Sequence, residues 1–121
     1  MYFSGAWRGY WEQVGFGRQS MYDLTLRFDC GHISGEGYDC FGAFTFAGEY
    51  DEQGGVSLVK QYVDRHQVVY NGRYDGEGTI FGRWTIGEFW SGPFALRPEK
   101  FAAADAPILT IAAPTDDRVT R

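Results

Sequence analysis

Short runs of alternating apolar and polar residues, separated by glycine-centred turns, fill the chain between residues 5 and 98. Residues 21–29 alternate most cleanly, and their apolar side, which starts at Tyr22 and ends at Phe28, is expected to face a core. No stretch has convincing helical periodicity. Strand-like runs at this spacing, each bounded by turn residues, are typical of an antiparallel sandwich or barrel.

The pattern predicts an all-β fold of eight antiparallel strands. Every connection is short, so each strand is expected to pair with the next in an up-and-down meander. Eight strands close a small barrel whose interior is filled by side chains or holds one small ligand; a split sandwich is the alternative. Paired glycines at Gly35 and Gly37 predict a bend, a bulge or a close backbone approach that helps closure. The expected strands are 5–14, 21–29, 32–38, 41–50, 56–63, 66–74, 79–86 and 93–97.

The composition changes after Pro98, which divides the chain into two parts. Residues 1–98 form the predicted barrel domain, and a chain of this size can bury one core without disulfides or a metal. Residues 99–121 are rich in alanine with proline and aspartate, and they contain one apolar run at 108–111. We expect this segment to be a C-terminal tail, extended or partly disordered.

Charge and cysteine content limit the partners and the location. The net charge is -5 and the basic residues are scattered, which argues against nucleic acid and against anionic membranes as partners. The N-terminus has no signal-peptide pattern, and no apolar run approaches the ~20 residues of a membrane helix. Cys30 and Cys40 flank a predicted strand of roughly 23 Å, too long for a direct disulfide. These features favour a cytoplasmic protein with reduced thiols.

Gly5-Ala6-Trp7 on the first strand resembles the Gly-x-Trp of the calycin superfamily, which includes avidin-, lipocalin-, fatty-acid-binding- and nitrobindin-like barrels. Arg97 on the last strand is similar to the basic residue that packs over that tryptophan. The resemblance implies a Trp7–Arg97 pair at the closed end of the barrel and a small ligand inside. The order of elements is most like avidin, but Arg8 and the residues after it replace the polar groups of the biotin pocket.

Amphipathic side chains cluster in the second half of the predicted barrel and are candidates for lining one ligand cavity. Ligand pockets are mostly apolar with a few well-placed polar groups, which tyrosine hydroxyls, an imidazole and an ammonium would supply. The alternative is that the tyrosine rings form core and the lysine lies at the rim. The turn at residues 64–65 allows two loop lengths, so the sequence does not decide which face of each flanking strand points into the barrel. The candidates are Lys60, Tyr62, His66, Tyr70, Tyr74 and Trp84.

Catalytic and metal chemistry have weaker support. The only histidines, His32 and His66, lack the spacing of a zinc site. Carboxylates in or near strands could serve as acid and base if two faced inward, although most strand carboxylates face solvent. We therefore predict no catalytic residue, no metal and no cofactor. The carboxylates concerned are Glu12, Glu36, Asp39 and Glu49.

A third group of residues predicts a partner surface. Val59, Val69 and Phe81 lie on three consecutive predicted strands, and if they are in register they form an exterior apolar patch. Exposed contiguous apolar surface usually marks an interaction site. We expect a homodimer through this patch; the alternative is that the tail run 108–111 covers it.

Three functions follow from these patterns. The leading hypothesis is a non-enzymatic barrel that binds a small apolar or amphipathic molecule. The second is an oligomerisation or interaction module with a filled barrel. The third is a barrel isomerase or cyclase, which would need inward ionisable groups with shifted pKa values.

Overall fold

A computed structural model describes residues 2–99 of the protein, and these residues form one closed β-barrel. The strands pair antiparallel in sequence order, and β1 pairs with β8 to close the barrel. The predicted all-β class, strand number and meander are confirmed. Residues 100–121, which include the predicted tail run, lie outside the described residues. The strands are β1 (Gly5–Gln13), β2 (Gly17–Asp29), β3 (His32–Asp39), β4 (Gly42–Tyr50), β5 (Gly55–Tyr62), β6 (Gln67–Tyr74), β7 (Ile80–Ile86) and β8 (Trp90–Pro98).

Two strands begin several residues earlier than the sequence pattern predicts. β2 starts at Gly17, opposite Gln13, and β8 starts at Trp90, opposite Ile86. The first residues of β2 are glycine and polar, so they show little alternation. Each of these strands pairs with the preceding strand directly from the tight turn. It therefore includes residues whose composition is not typical of a strand.

A bulge in β2 reverses part of the expected alternation. The pairing of β2 shifts by one residue between Met21 and Leu24 against β1 and between Tyr22 and Thr25 against β3. Asp23, within both intervals, has a φ of 51°. A bulge inserts one extra residue, which turns the preceding side chains to the opposite face. Tyr22 is consequently 52% exposed, and Met21 takes its place inside the barrel.

The glycines of β3 lie where the backbone of a neighbouring strand comes close. A Cβ at Gly35 would overlap the carbonyl oxygen of Thr25 in β2, and a Cβ at Gly37 would crowd the Phe44 ring and the Tyr22 carbonyl oxygen. These contacts confirm the close approach predicted from the glycine pair. At these glycines β3 lies close against the bulged part of β2.

The N-terminal residues close one end of the barrel. The ring of Tyr2 lies 5.0 Å from that of Phe28, 4.5 Å from that of Tyr50 and 4.7 Å from that of Tyr74. The indole of Trp7 donates a 2.7 Å hydrogen bond to the carbonyl oxygen of Phe3. Inward side chains from all eight strands fill the barrel above this aromatic plug. A cavity lined by inward side chains lies near the opposite end, which we call the Trp11 end.

Candidate functional site

A cavity of about 40 Å³ lies at the Trp11 end, between the inner face of the barrel and the turns above it. Since a water molecule needs roughly 10–15 Å³ by this measure, the cavity has room for a few waters or for the end of a small ligand. Its walls are almost entirely aromatic and aliphatic. The lining residues are Trp11, Gln13, Phe41, Tyr62, His66, Val68, Tyr70, Trp84 and Ile86.

A buried ion pair lies next to this cavity. The ammonium of Lys60 donates to Oδ2 of Asp39 at 2.7 Å, and the two side chains are 1% and 0% exposed. Lys60 comes from β5 and Asp39 from the end of β3, so the pair spans the barrel interior. Taking two charges out of water is costly, and such a pair persists only when further hydrogen bonds support it.

Those further hydrogen bonds come largely from the cavity wall. Oδ2 of Asp39 also accepts from the Tyr62 hydroxyl at 2.7 Å and from the Trp11 indole at 3.1 Å. Its Oδ1 accepts from the backbone N–H of Phe41 at 2.9 Å. The ammonium of Lys60 makes a second hydrogen bond to the Tyr70 hydroxyl at 3.2 Å. Three cavity-lining side chains therefore belong to the network around the ion pair.

Burial changes the acid–base properties of this network. It lowers the pKa of Lys60 to about 8, although the attraction of Asp39 opposes the change. Burial also raises the pKa of Tyr62 far above its usual value, assisted by the hydrogen bond to Asp39. It raises the pKa of Tyr70 as well, and there the nearby negative charge of Asp39 adds to the effect. Low dielectric surroundings disfavour the charged form of each group. Both tyrosines consequently stay protonated at neutral pH.

The structure brings most of the candidate ligand residues together. Tyr62, His66, Tyr70 and Trp84 line this cavity, and His66 is exposed at its edge. Lys60 contacts Tyr70 from within the core. The pairing of Leu58 with Tyr70 places Lys60 and Tyr70 on the inner face, which the sequence left open.

Tyr74 and the predicted closing pair lie elsewhere. Tyr74 packs against Tyr2 at the opposite end of the barrel, far along β6 from the cavity. Trp7 points inward opposite Pro98, whereas Arg97 lies opposite Arg8 on the exposed outer face. The closing strands do meet, but these two side chains lie on opposite sides of the wall.

Six residues of the site were not among the sequence candidates for ligand binding. Asp39 carries the buried charge, and the other five line the cavity: Trp11, Gln13, Phe41, Val68 and Ile86. Trp11 shares the inward side of β1 with Trp7, so its alternation was a usable signal. Asp39 is one of four carboxylates in or near the predicted strands, and its sequence neighbours do not mark it as the inward one.

Exposed apolar side chains surround the opening of the cavity. Every turn at the Trp11 end carries at least one of them, including Val14 at 99% exposure and Phe89 at 89%. The turns at the opposite end carry no exposed large hydrophobic residue among the described residues. We call this set the apolar rim: Val14, Phe16, Phe41, Val63, Phe89 and Trp90.

The outer wall shows where the predicted partner surface lies. Val59 of β5 is opposite Val69 of β6, and both are exposed. Phe81 is also exposed, but it pairs with Arg73, whereas Val69 pairs with Thr85. Phe81 is therefore about four residues, roughly 13 Å, along the strand from the valine pair. The contiguous exterior row in register with the valines contains Ala47, Val59, Val69 and Thr85.

Comparison with known proteins finds no matching family model and no matching curated protein. Residues 2–99 include no helix long and apolar enough to cross a membrane. The fold and the site together define a small closed up-and-down β-barrel with one end plugged and a cavity at the other.

Proposed function

We propose that this protein is a calycin-like barrel that binds a small apolar or amphipathic molecule at its Trp11 end. The observation that carries the proposal is the cavity itself, in which four of the six predicted ligand residues converge on a largely apolar wall. Ligand sites are concave, mostly apolar and supplied with a few polar groups. The Lys60–Asp39 network supplies those polar groups here.

The size of the cavity limits the ligand. At about 40 Å³ it is much smaller than the ~150 Å³ cavity that admits a whole benzene ring. The ligand therefore places one end inside, and the rest contacts the turns around the opening. The apolar rim supports this arrangement because it offers hydrophobic surface where the ligand emerges.

The tryptophan indoles provide a direct test of binding. Indole N–H resonances from Trp11 and Trp84 should shift when a small aromatic probe such as toluene is added, because both rings line the cavity. The Trp7 indole, hydrogen-bonded to Phe3 at the plugged end, is an internal control that should not shift. Two-dimensional NMR of the full chain measures all of these signals together.

A matched variant completes this experiment. Ile86→Phe places a larger side chain at the cavity edge and should remove the probe-induced shifts, whereas Phe81→Leu on the outer wall should leave them intact. Native Trp11 and Trp84 signals that do not respond to toluene or to any other small apolar compound would contradict the proposed function.

A second candidate function, assembly into a homodimer, rests on the uncharged outer row around Val59 and Val69. The row crosses four consecutive strands in register, and its two valines are exposed side by side. A second copy of the barrel would cover these side chains and remove apolar surface from water.

Sedimentation of the native chain and of Val59→Lys tests the dimer. The native protein is expected to sediment as a dimer and the variant as a monomer, since a lysine on each copy would place like charges in the apolar row. Phe81→Lys, on a separate exposed position, should remain dimeric. A monomeric native chain at micromolar concentration would eliminate this candidate.

A further inference from the structure

The Tyr70 hydroxyl is a buried donor without an acceptor among residues 2–99. Tyr70 is 1% exposed, and its oxygen accepts a hydrogen bond from the Lys60 ammonium at 3.2 Å. An ammonium has only hydrogens to donate, so Lys60 cannot accept the phenol proton in return. Buried hydroxyl groups almost always find an acceptor, and one left without it is costly.

The neighbouring Tyr62 shows the contrast. It also lines the cavity, but its hydroxyl donates to Oδ2 of Asp39 at 2.7 Å and is therefore satisfied. Burial holds the pKa of Tyr70 well above its usual value, so this side chain keeps its hydrogen across the neutral range. Of the two tyrosines on the cavity wall, Tyr70 is the one whose O–H can still donate a hydrogen bond to a ligand.

The charges around the cavity restrict what can accept this hydrogen. The Lys60 cation and the Asp39 anion balance each other within 2.7 Å. An anionic ligand would have to be desolvated beside the Asp39 carboxylate, and a cationic one beside the Lys60 ammonium. An uncharged acceptor avoids both penalties, and the aromatic walls favour an apolar group attached to it.

We infer that the ligand is an uncharged carbonyl compound whose oxygen accepts a hydrogen bond from Tyr70 while its apolar part lies among Trp11, Phe41 and Trp84. This inference rests on the proposed function, because it names the chemical class of the molecule in the same cavity. It assigns to Tyr70 the role of fixing the orientation of the ligand.

Two probes of similar size separate the proposed function from the inferred role of Tyr70. Acetophenone and isopropylbenzene differ mainly in a carbonyl oxygen that replaces a methyl group. Binding of each to the native chain and to Tyr70→Phe is measured through the Trp11 and Trp84 indole resonances. The preference for acetophenone over isopropylbenzene should fall about three- to tenfold in the variant, which is the contribution of one neutral hydrogen bond. Binding of isopropylbenzene should change little.

Each outcome has a distinct meaning. If neither probe binds the native chain, the proposed function fails together with this inference. If both bind and Tyr70→Phe leaves the preference unchanged, the cavity accepts apolar groups, the Tyr70 hydrogen is satisfied by water, and the inference alone is overturned.

A vibrational measurement on the native protein covers the case in which Tyr70→Phe does not fold. The C=O stretching frequency of bound, carbonyl-labelled acetophenone should be lower than its value in an apolar solvent, because the hydrogen bond weakens the C=O bond. A frequency of bound acetophenone equal to that in the apolar solvent would overturn the inference.

Discussion

Replacement of Lys60 by methionine is expected to lower the free energy of unfolding by about 3–5 kcal/mol, the usual effect of breaking a buried ion pair. Methionine fills similar space but has no charge. The variant removes both hydrogen bonds of the Lys60 nitrogen, which an uncharged amine would keep. It leaves the fully buried Asp39 carboxylate with the neutral donors of Trp11, Tyr62 and the Phe41 backbone. Equilibrium unfolding in urea measures the change.

Two further variants separate the charge from packing. Adding Asp39→Asn to Lys60→Met removes the unpaired charge and should recover about 2 kcal/mol, because an uncharged network avoids the desolvation penalty. Glu36→Gln breaks the ion pair with Arg27, whose side chains are both half exposed, and should leave the unfolding free energy almost unchanged. A Lys60→Met variant as stable as the native chain would show that the ion pair does not hold the core together.

The strands and their order could be predicted because turns and alternation are local features. The glycine-rich turns fixed the number of strands, and short connections left sequential pairing as the simplest arrangement. The same reasoning failed at Tyr22, since the β2 bulge depends on how β2 fits against β1 and β3. Bulges respond to pairing on both sides, which one strand's pattern does not contain.

The candidate site was only partly predictable because strand register links residues far apart in sequence. β5 is apolar on both sides, so its pattern does not show that Lys60 points inward. Asp39 and Lys60 are 21 positions apart in the sequence, and they lie on β3 and β5, which do not pair with each other. Charged residues rarely lie in a core unless paired, and a pairing of this kind appears only once the barrel is closed.

The stability of the barrel should rise by about 2 kcal/mol between pH 7 and pH 10 through Lys60 alone. Burial lowers the pKa of Lys60 to about 8, from 10.5 in the unfolded chain. In this interval the unfolded chain retains a proton that the folded protein has released, so removing protons from solution favours the folded state. Urea unfolding at a series of pH values measures this dependence.

Tyr62 and Tyr70 reverse the trend at higher pH. Burial raises the pKa of both hydroxyls above the usual 10, so the unfolded chain loses these protons first as the pH increases. Above about pH 10 the stability gained from Lys60 should therefore decline, which leaves a maximum near that pH. The maximum reflects the balance between Lys60 and the groups whose pKa values are raised in the folded protein, which also include Tyr2, Cys30 and Cys40.

Comparison with Lys60→Met isolates the contribution of the lysine, because the variant keeps both tyrosines but should show no rise above pH 7. The chain contains only one other lysine, Lys100, so the two side-chain carbon resonances can be followed by NMR through the same titration. The Lys60 resonance should titrate near pH 8. If the stability of the native chain and that of Lys60→Met change equally from pH 7 to pH 10, the prediction is wrong. Lys60 would then keep its proton over this range, because the attraction of Asp39 outweighs the effect of burial.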